Sequence, residues 1–499
     1  MSWRIRFLVT AAAVGIAFLA AGYGLAANPL LAVGAVLGVL VLAVTLAWPT
    51  VVVSVMLALG PVNLGFLTGG YKELLPALGG LDMSGIRLVG ITAGLGMVVL
   101  TRRDLLETLV TPPARWYVLF LAWAGATLAF SPAPLEGLRL LLKLAYPLLV
   151  FLVVAAPERT PGELRRLGNW TLWGTILILL VNPIFVVNGS YELESSEILR
   201  VSLPGSHHNP FSFYLLAILL ICIARFRARA QPRYLLLGGV AVVWIALTLT
   251  RITFLASFVA IAVVALYTAV ADRNWRALLA AAAFGVLLGG LALEGVLVRT
   301  FGYLPSAGQL LALMLDPVGL YQAINWQGRE TLWGILFVAF QASPVVGSGL
   351  GASSAAILAG LGEVVVAHNE YLRLAVDTGL VGCLLYFLAV SGWIGAAIRT
   401  IRRGGRGADE FAMPALALIA AWAVIAVTDN AFDYYGPLTQ YVGFLVAACV
   451  VLGRETTAAD SLGGSSGDPV ELGSDQPEAG RGGEVLLPSL AGGGAHGSP

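Results

Sequence analysis

The sequence predicts an all-α, polytopic integral membrane protein, and three observations carry that prediction. Of 499 residues, 58% are hydrophobic and only 11% charged, with a mean hydropathy of +0.87, far outside the range of soluble domains. Apolar runs of roughly 17 to 25 residues recur along the chain, the length a helix needs to cross about 30 Å of hydrocarbon while satisfying its own backbone. Lys and Arg collect in alternate connections, as they do in cytoplasmic loops. The net charge of +1 leaves no basic excess for nucleic acid. Cys222, Cys383 and Cys449 lie inside apolar runs, without the spacing of a disulfide framework or a metal site.

Taken in order, the apolar runs place helices near 7–27, 29–47, 50–68, 85–101, 115–131, 137–156, 168–188, 210–226, 233–250, 252–270, 275–297, 370–398, 411–428 and 436–453. That is about 12 to 14 transmembrane helices, with boundaries fixed only to within several residues. Arg4 and Arg6 precede the first run, which reads as a retained transmembrane helix and not as a cleaved signal peptide. Arg102/Arg103, Arg165/Arg166, Arg225 to Arg233 and Arg399 to Arg406 fall on one side, so both termini are expected in the cytoplasm. The opposite, outer face receives 69–84, 189–209, the large loop 298–369 and the turn 428–433. Function is expected there. Residues 1–453 form the membrane domain, and the Gly- and Ser-rich stretch 454–499 reads as a disordered cytoplasmic tail.

Within the large loop, the apolar run Thr331 to Gln341 is too short to span and reads as an amphipathic helix lying in the membrane surface. Gly347, Gly349 and Gly351 then turn the chain into a second short helix through Ala355–Leu358, ahead of His368.

Cations on the outer face stand out against the general trend: Arg200, Arg251, Arg299 and Arg329. Arg251 sits between the runs Leu235–Leu249 and Ile252–Val270. A guanidinium costs about 2.5–3.5 kcal/mol at a membrane helix centre and less near the interface, so it is a functional candidate or else an arginine snorkelling to lipid phosphates. Arg200 precedes His207-His208-Asn209-Pro210. Neighbouring histidine side chains diverge and no further ligand stands at metal spacing, so His208 and Asn209 read as residues that cap or orient the helix beginning at Pro210. Glu370, Arg373 and Asp377 are spaced i, i+3 and i+7, which lets Arg373 pair with acids on one helix face and makes the trio, with Asn369, structural. His368 lies on another face. An imidazole can take up a proton at neutral pH, the requirement of a general base.

These stretches resemble the O-antigen ligase and O-antigen polymerase family of bacterial surface-polysaccharide enzymes. The similarity rests on Gly328-Arg329, Pro344-Val345-Val346-Gly347-Ser348-Gly349, Ala367-His368-Asn369-Glu370-Tyr371-Leu372 and Gly379-Leu380-Val381-Gly382. Thr248-Leu249-Thr250-Arg251 and Arg200 with His208-Asn209-Pro210 add to it, so that about residues 195–395 are covered. The resemblance implies a multi-spanning, inverting glycosyltransferase of the bacterial inner membrane. It would move a glycan from undecaprenyl pyrophosphate to an acceptor hydroxyl on the periplasmic or extracellular side, with no metal or other cofactor. Guanidiniums suit the pyrophosphate because they bind phosphate oxygens bidentately. On that reading Arg200 and Arg251 hold the pyrophosphate, Arg329 assists, and His368 is the base. A ligase is slightly favoured over a polymerase that joins lipid-linked repeat units. A transporter would need charges deep in several spans and an internal repeat; Glu294 and the Arg139/Lys143 pair are the only such charges, and no repeat is visible.

Overall fold

The computed structural model describes residues 43–44, 47–60 and 91–463, except 93, 97, 101, 103, 157–158, 188–190, 194–198, 202–207, 327, 364 and 406. The expected spans near 7–27 and, almost entirely, 29–47, the segment 69–84, His207 and the tail from 464 onward lie outside the described residues. Two compact units are present, Met1–Glu455 and Thr456–Pro499, and the helical bundle belongs to the first.

The elements of the bundle begin with α1 (Pro49–Ala58), α2 (Pro112–Thr127), α3 (Pro134–Val154) and α4 (Pro161–Val187). An antiparallel hairpin of β1 (Tyr191–Leu193) and β2 (Leu199–Val201) follows, with Glu192 opposite Arg200. Next come α5 (His208–Arg229), α6 (Pro232–Thr248), α7 (Arg251–Ala271) and α8 (Arg276–Phe301), then the short α9 (Ala307–Leu315), α10 (Pro317–Ala323), α11 (Arg329–Ala342) and α12 (Ala352–Leu361). The chain closes with α13 (Glu370–Arg403), α14 (Met413–Thr428) and α15 (Gln440–Gly463). Proline at the first helical turn starts α1, α2, α3 and α6, where its missing N–H and fixed φ cost nothing.

Among the described residues, eight helices are long and apolar enough to cross a membrane. Their environments differ. The span Ala431–Arg454 is 83% buried and central, whereas the span of α8 is 11% buried and shows Leu279, Val286 and Leu287 to its surroundings. So much exposed apolar surface suits contact with lipid and not with water. At the centre, the rings of Tyr117 on α2 and Trp393 on α13 stack 4.8 Å apart, and Trp422 and Phe432 meet edge to face at 5.2 Å. Two of these rings bond backbone through their polar ends: Trp393 donates to the Pro113 carbonyl at 2.8 Å and Tyr117 to that of Leu144 at 3.0 Å. Buried aromatics with a bonded polar tip combine large area with fixed geometry.

Three features differ from the sequence expectation. The span placed at 168–188 begins at Pro161, because its first turns are polar and extend beyond the apolar run. Two helices, α9 and α10, occupy what reads as plain loop; Ser306 and Gln309 form a reciprocal capping box on α9, and Asp316 caps α10. The third feature is a break in α13 at Gly379, with φ of 67°. There the amides of Leu380 and Val381 bond the carbonyls of Pro344 and Val345, while Ser348 and Gly349 donate to the carbonyls of Val376 and Asp377. The 344–349 segment thus replaces the hydrogen bonds the helix gives up. A Cβ at position 379 would stand 2.2 Å from the Val345 oxygen, so both the backbone angle and the close approach demand glycine.

Charge gathers at the two ends of α5. At its C-terminal end, Glu410, 3% exposed, accepts from Arg165 at 2.7 Å, Arg229 at 3.1 Å and Arg225 at 3.3 Å. Asp409 accepts from Arg227 at 3.0 Å and from the Tyr267 hydroxyl at 3.2 Å. The other end, about 33 Å away for a helix of 22 residues, carries the cavity.

Candidate active site

The cavity encloses about 450 Å³ and is lined by the N-terminal ends of α5 and α7, the C-terminal end of α8, the turn before α11, and His368. Arg251, Arg299 and Arg329 line it, with His208, Asn209 and Trp326. Three guanidiniums thus line one space.

Each cation is placed by local structure. Thr250, in an extended conformation, is the N-cap of α7, so Arg251 is the first helical residue and projects from the helix end. Its guanidinium donates to the carbonyls of Asn325 at 2.9 Å and Arg299 at 3.3 Å, tying the α7 start to the end of α8 and to the loop beyond. Arg299, 9% exposed, donates to the Leu249 carbonyl at 2.5 Å. Arg329 begins α11 behind Gly328, whose φ of 78° turns the chain. Burial lowers the pKa of the Arg329 guanidinium from its usual value, the nearby charge of Asp429 opposes that shift, and Arg299 adds to it. Its Nε is buried with no hydrogen-bond partner, an arrangement suited to receiving an anion.

His368 lies two residues ahead of α13, where Asn369 is the N-cap and its side chain accepts from the Leu372 amide at 2.9 Å. The histidine backbone is left-handed, with φ of 50°, which costs a non-glycine residue energy and is found mostly where the surroundings enforce it. Its Nδ1 is buried 3.4 Å from Oδ1 of Asp429, itself 1% exposed. With that nitrogen turned inward and the ring 28% exposed, the open edge of the imidazole faces the cavity. Asp429 in turn accepts from Asn209 at 2.8 Å, Tyr434 at 3.0 Å and the Asn430 amide at 2.9 Å. Three donors fix the carboxylate, and the carboxylate faces the histidine, the arrangement that orients a general base.

Of the residues singled out in sequence, Arg251, Arg329, His368, His208 and Asn209 thus share one cavity. Arg200 lies on β2, which packs on α6; the placement of its side chain lies outside the described residues. The helix expected from Pro210 starts at His208, which is buried, and Asn209 donates to Asp429 and not to the helix end. Arg373 holds Glu370 as its spacing predicts, with Nη2 at 2.7 Å from both carboxylate oxygens and Nε at 2.9 Å from one, but its second acid is Asp433 at 3.2 Å. Asp377 instead accepts from the Ser353 amide at 2.7 Å, at the start of α12, because the break at Gly379 brings the loop against that face. Asp429 is absent from the sequence-based candidates, and Arg299 stands there as an outer cation without an assigned role. Asp429 is an acid in the short polar turn between two apolar spans, and its role depends on a histidine 61 positions away in sequence.

Residues 237–387 match the family described as O-antigen ligase. The match covers 151 of the 499 residues. That stretch contains Arg251, Arg299, Arg329 and His368, while Asn209 and Asp429 lie on either side of it in sequence. A comparison with curated proteins returned no match. The match to the O-antigen ligase family, together with the long apolar helices, supports a membrane protein with a role in surface-polysaccharide assembly and glycosyltransferase-like activity.

Proposed function

We propose that the protein transfers a glycan from an undecaprenyl-pyrophosphate carrier to an acceptor hydroxyl at the outer face of the bacterial inner membrane, with inversion and without a metal ion. The observation that carries this reading is the shared cavity, which three guanidiniums and the open edge of His368 line together. In the proposed step, the acceptor oxygen attacks the anomeric carbon from the side opposite the phosphate. Its proton passes to the open ring nitrogen of His368, and the carbon–oxygen bond to the pyrophosphate breaks. The leaving group keeps the bonding pair, and its charge is met by Arg251 and Arg329, with Arg299 beside them and Arg200 contributing from the hairpin. Fixed cations in a site partly shielded from water stabilise developing charge far better than the same groups in bulk solvent. Asp429 would hold the imidazole and stabilise its protonated form.

The test is glycan transfer in membranes carrying His368→Ala, Arg251→Ala or Arg200→Ala, with and without EDTA. Wild-type turnover by any variant at normal expression removes that residue from the mechanism, and abolition by EDTA removes the metal-free claim. Ligase and polymerase share the donor. On deletion, full-length glycan left on the carrier marks a ligase, which we favour, and a collapsed ladder of chain lengths marks a polymerase.

A further inference from the structure

The geometry points to Trp326 as the surface on which the donor's first sugar, the one bonded to the pyrophosphate, stacks. This deepens the pyrophosphate reading above and rests on it.

Trp326 lines the cavity and lies between the elements that place two of its cations. Arg251 holds the carbonyl of the preceding residue, Asn325, at 2.9 Å, and Arg329 follows one turn later with its amide on the Trp326 carbonyl at 3.2 Å. A pyrophosphate bridging Arg251 and Arg329 therefore carries its sugar next to this indole. The ring is held rigidly. Its Nε1 donates to the Tyr321 carbonyl at 3.0 Å, the Trp333 ring meets it at 5.7 Å and 61°, and the Tyr321 ring lies 5.2 Å away. Trp333 in turn packs on the small apolar cluster of Leu332, Leu336 and Ile357 that joins α11 to α12. An aromatic face fixed by neighbours loses little entropy on receiving a ligand, and the weakly polarised C–H face of a pyranose fits its negative quadrupole. Tyr321, by contrast, is 50% exposed and reads as an anchor at the membrane surface.

The experiment measures binding of two ligands to the full chain in lipid nanodiscs: undecaprenyl pyrophosphate, and the same carrier bearing one sugar. Trp326→Ala is expected to weaken the sugar-bearing ligand about tenfold and leave the bare carrier unchanged, while Trp326→Phe keeps most of the affinity. Equal weakening of both ligands makes the ring structural or interfacial and overturns the assignment, as does no weakening of either. Arg329→Ala reports on the parent reading: if the bare carrier binds it as well as wild type, or fails to bind wild type, the pyrophosphate reading falls and takes this one with it.

Discussion

The two ends of α5 gather similar residues and do opposite things with them. At the C-terminal end, Arg165, Arg225 and Arg229 converge on Glu410, and Arg227 on Asp409, so the charges close on one another. At the N-terminal end, Arg251 and Arg299 donate to carbonyls, Arg329 keeps a buried Nε unmatched, and Asp429 accepts from Asn209 and Tyr434 while lying 3.4 Å from the imidazole. A cluster whose cations meet carboxylates stabilises the fold. One whose cations line a cavity can offer charge to a ligand.

Exchanging function for stability across the two ends tests that contrast most strongly. His368→Ala is expected to lower glycan transfer by about 10²- to 10⁴-fold with the unfolding temperature in detergent nearly unchanged; normal turnover breaks the comparison at the cavity end. Glu410→Ala should do the reverse. Removing the acid leaves three guanidiniums together, Arg225 among them at 1% exposure, at a cost of about 3–5 kcal/mol, read as lower yield and a lower melting temperature. A variant that folds normally would show that the closed end is not structural. Asp429→Asn comes next, since it keeps most of the shape and removes the charge facing His368. A loss of about 10- to 100-fold in kcat with the donor KM little changed is expected, and a change confined to KM would make Asp429 a binding residue. Arg251→Lys is the mildest. A point charge replaces a planar fork, so donor KM should rise about tenfold with kcat largely kept, measured on membranes at matched expression; an unchanged KM places the phosphate elsewhere.

Much of the fold was legible because apolar length is a strong signal: α5 to α8, α13 and α14 start within a few residues of the sequence estimate. The signal weakens where a helix is not defined by lipid. The polar first turns of α4, with Glu163, Arg165 and Arg166, continue a helix past its apolar run. The caps of α9 and α10 were written locally in Ser306, Gln309, Asp316 and Pro317, yet periodicity in so short a stretch did not raise them above loop. The break at Gly379 is hard to read locally, since its replacement hydrogen bonds join residues 28 to 36 positions apart. Within the site, His368, Arg251 and Arg329 announced themselves as charges out of place in an apolar chain. Asp429 did not, because an acid in a turn is ordinary until a histidine from another helix is brought within 3.4 Å of it.

The turn between α14 and α15 ties down two helices at once. Asp429 faces His368, and four residues later Asp433 accepts from Lys143 at 2.7 Å and from Arg373, while the Phe432 amide reaches Glu370 at 3.1 Å. This bears directly on engineering. A reporter or epitope spliced into the turn to map membrane sidedness would disturb the support of the proposed base and the ion pairs of α3 and α13 together, and would report on a damaged protein. The exposed Gly404-Gly405 turn after α13 offers an insertion point free of such ties.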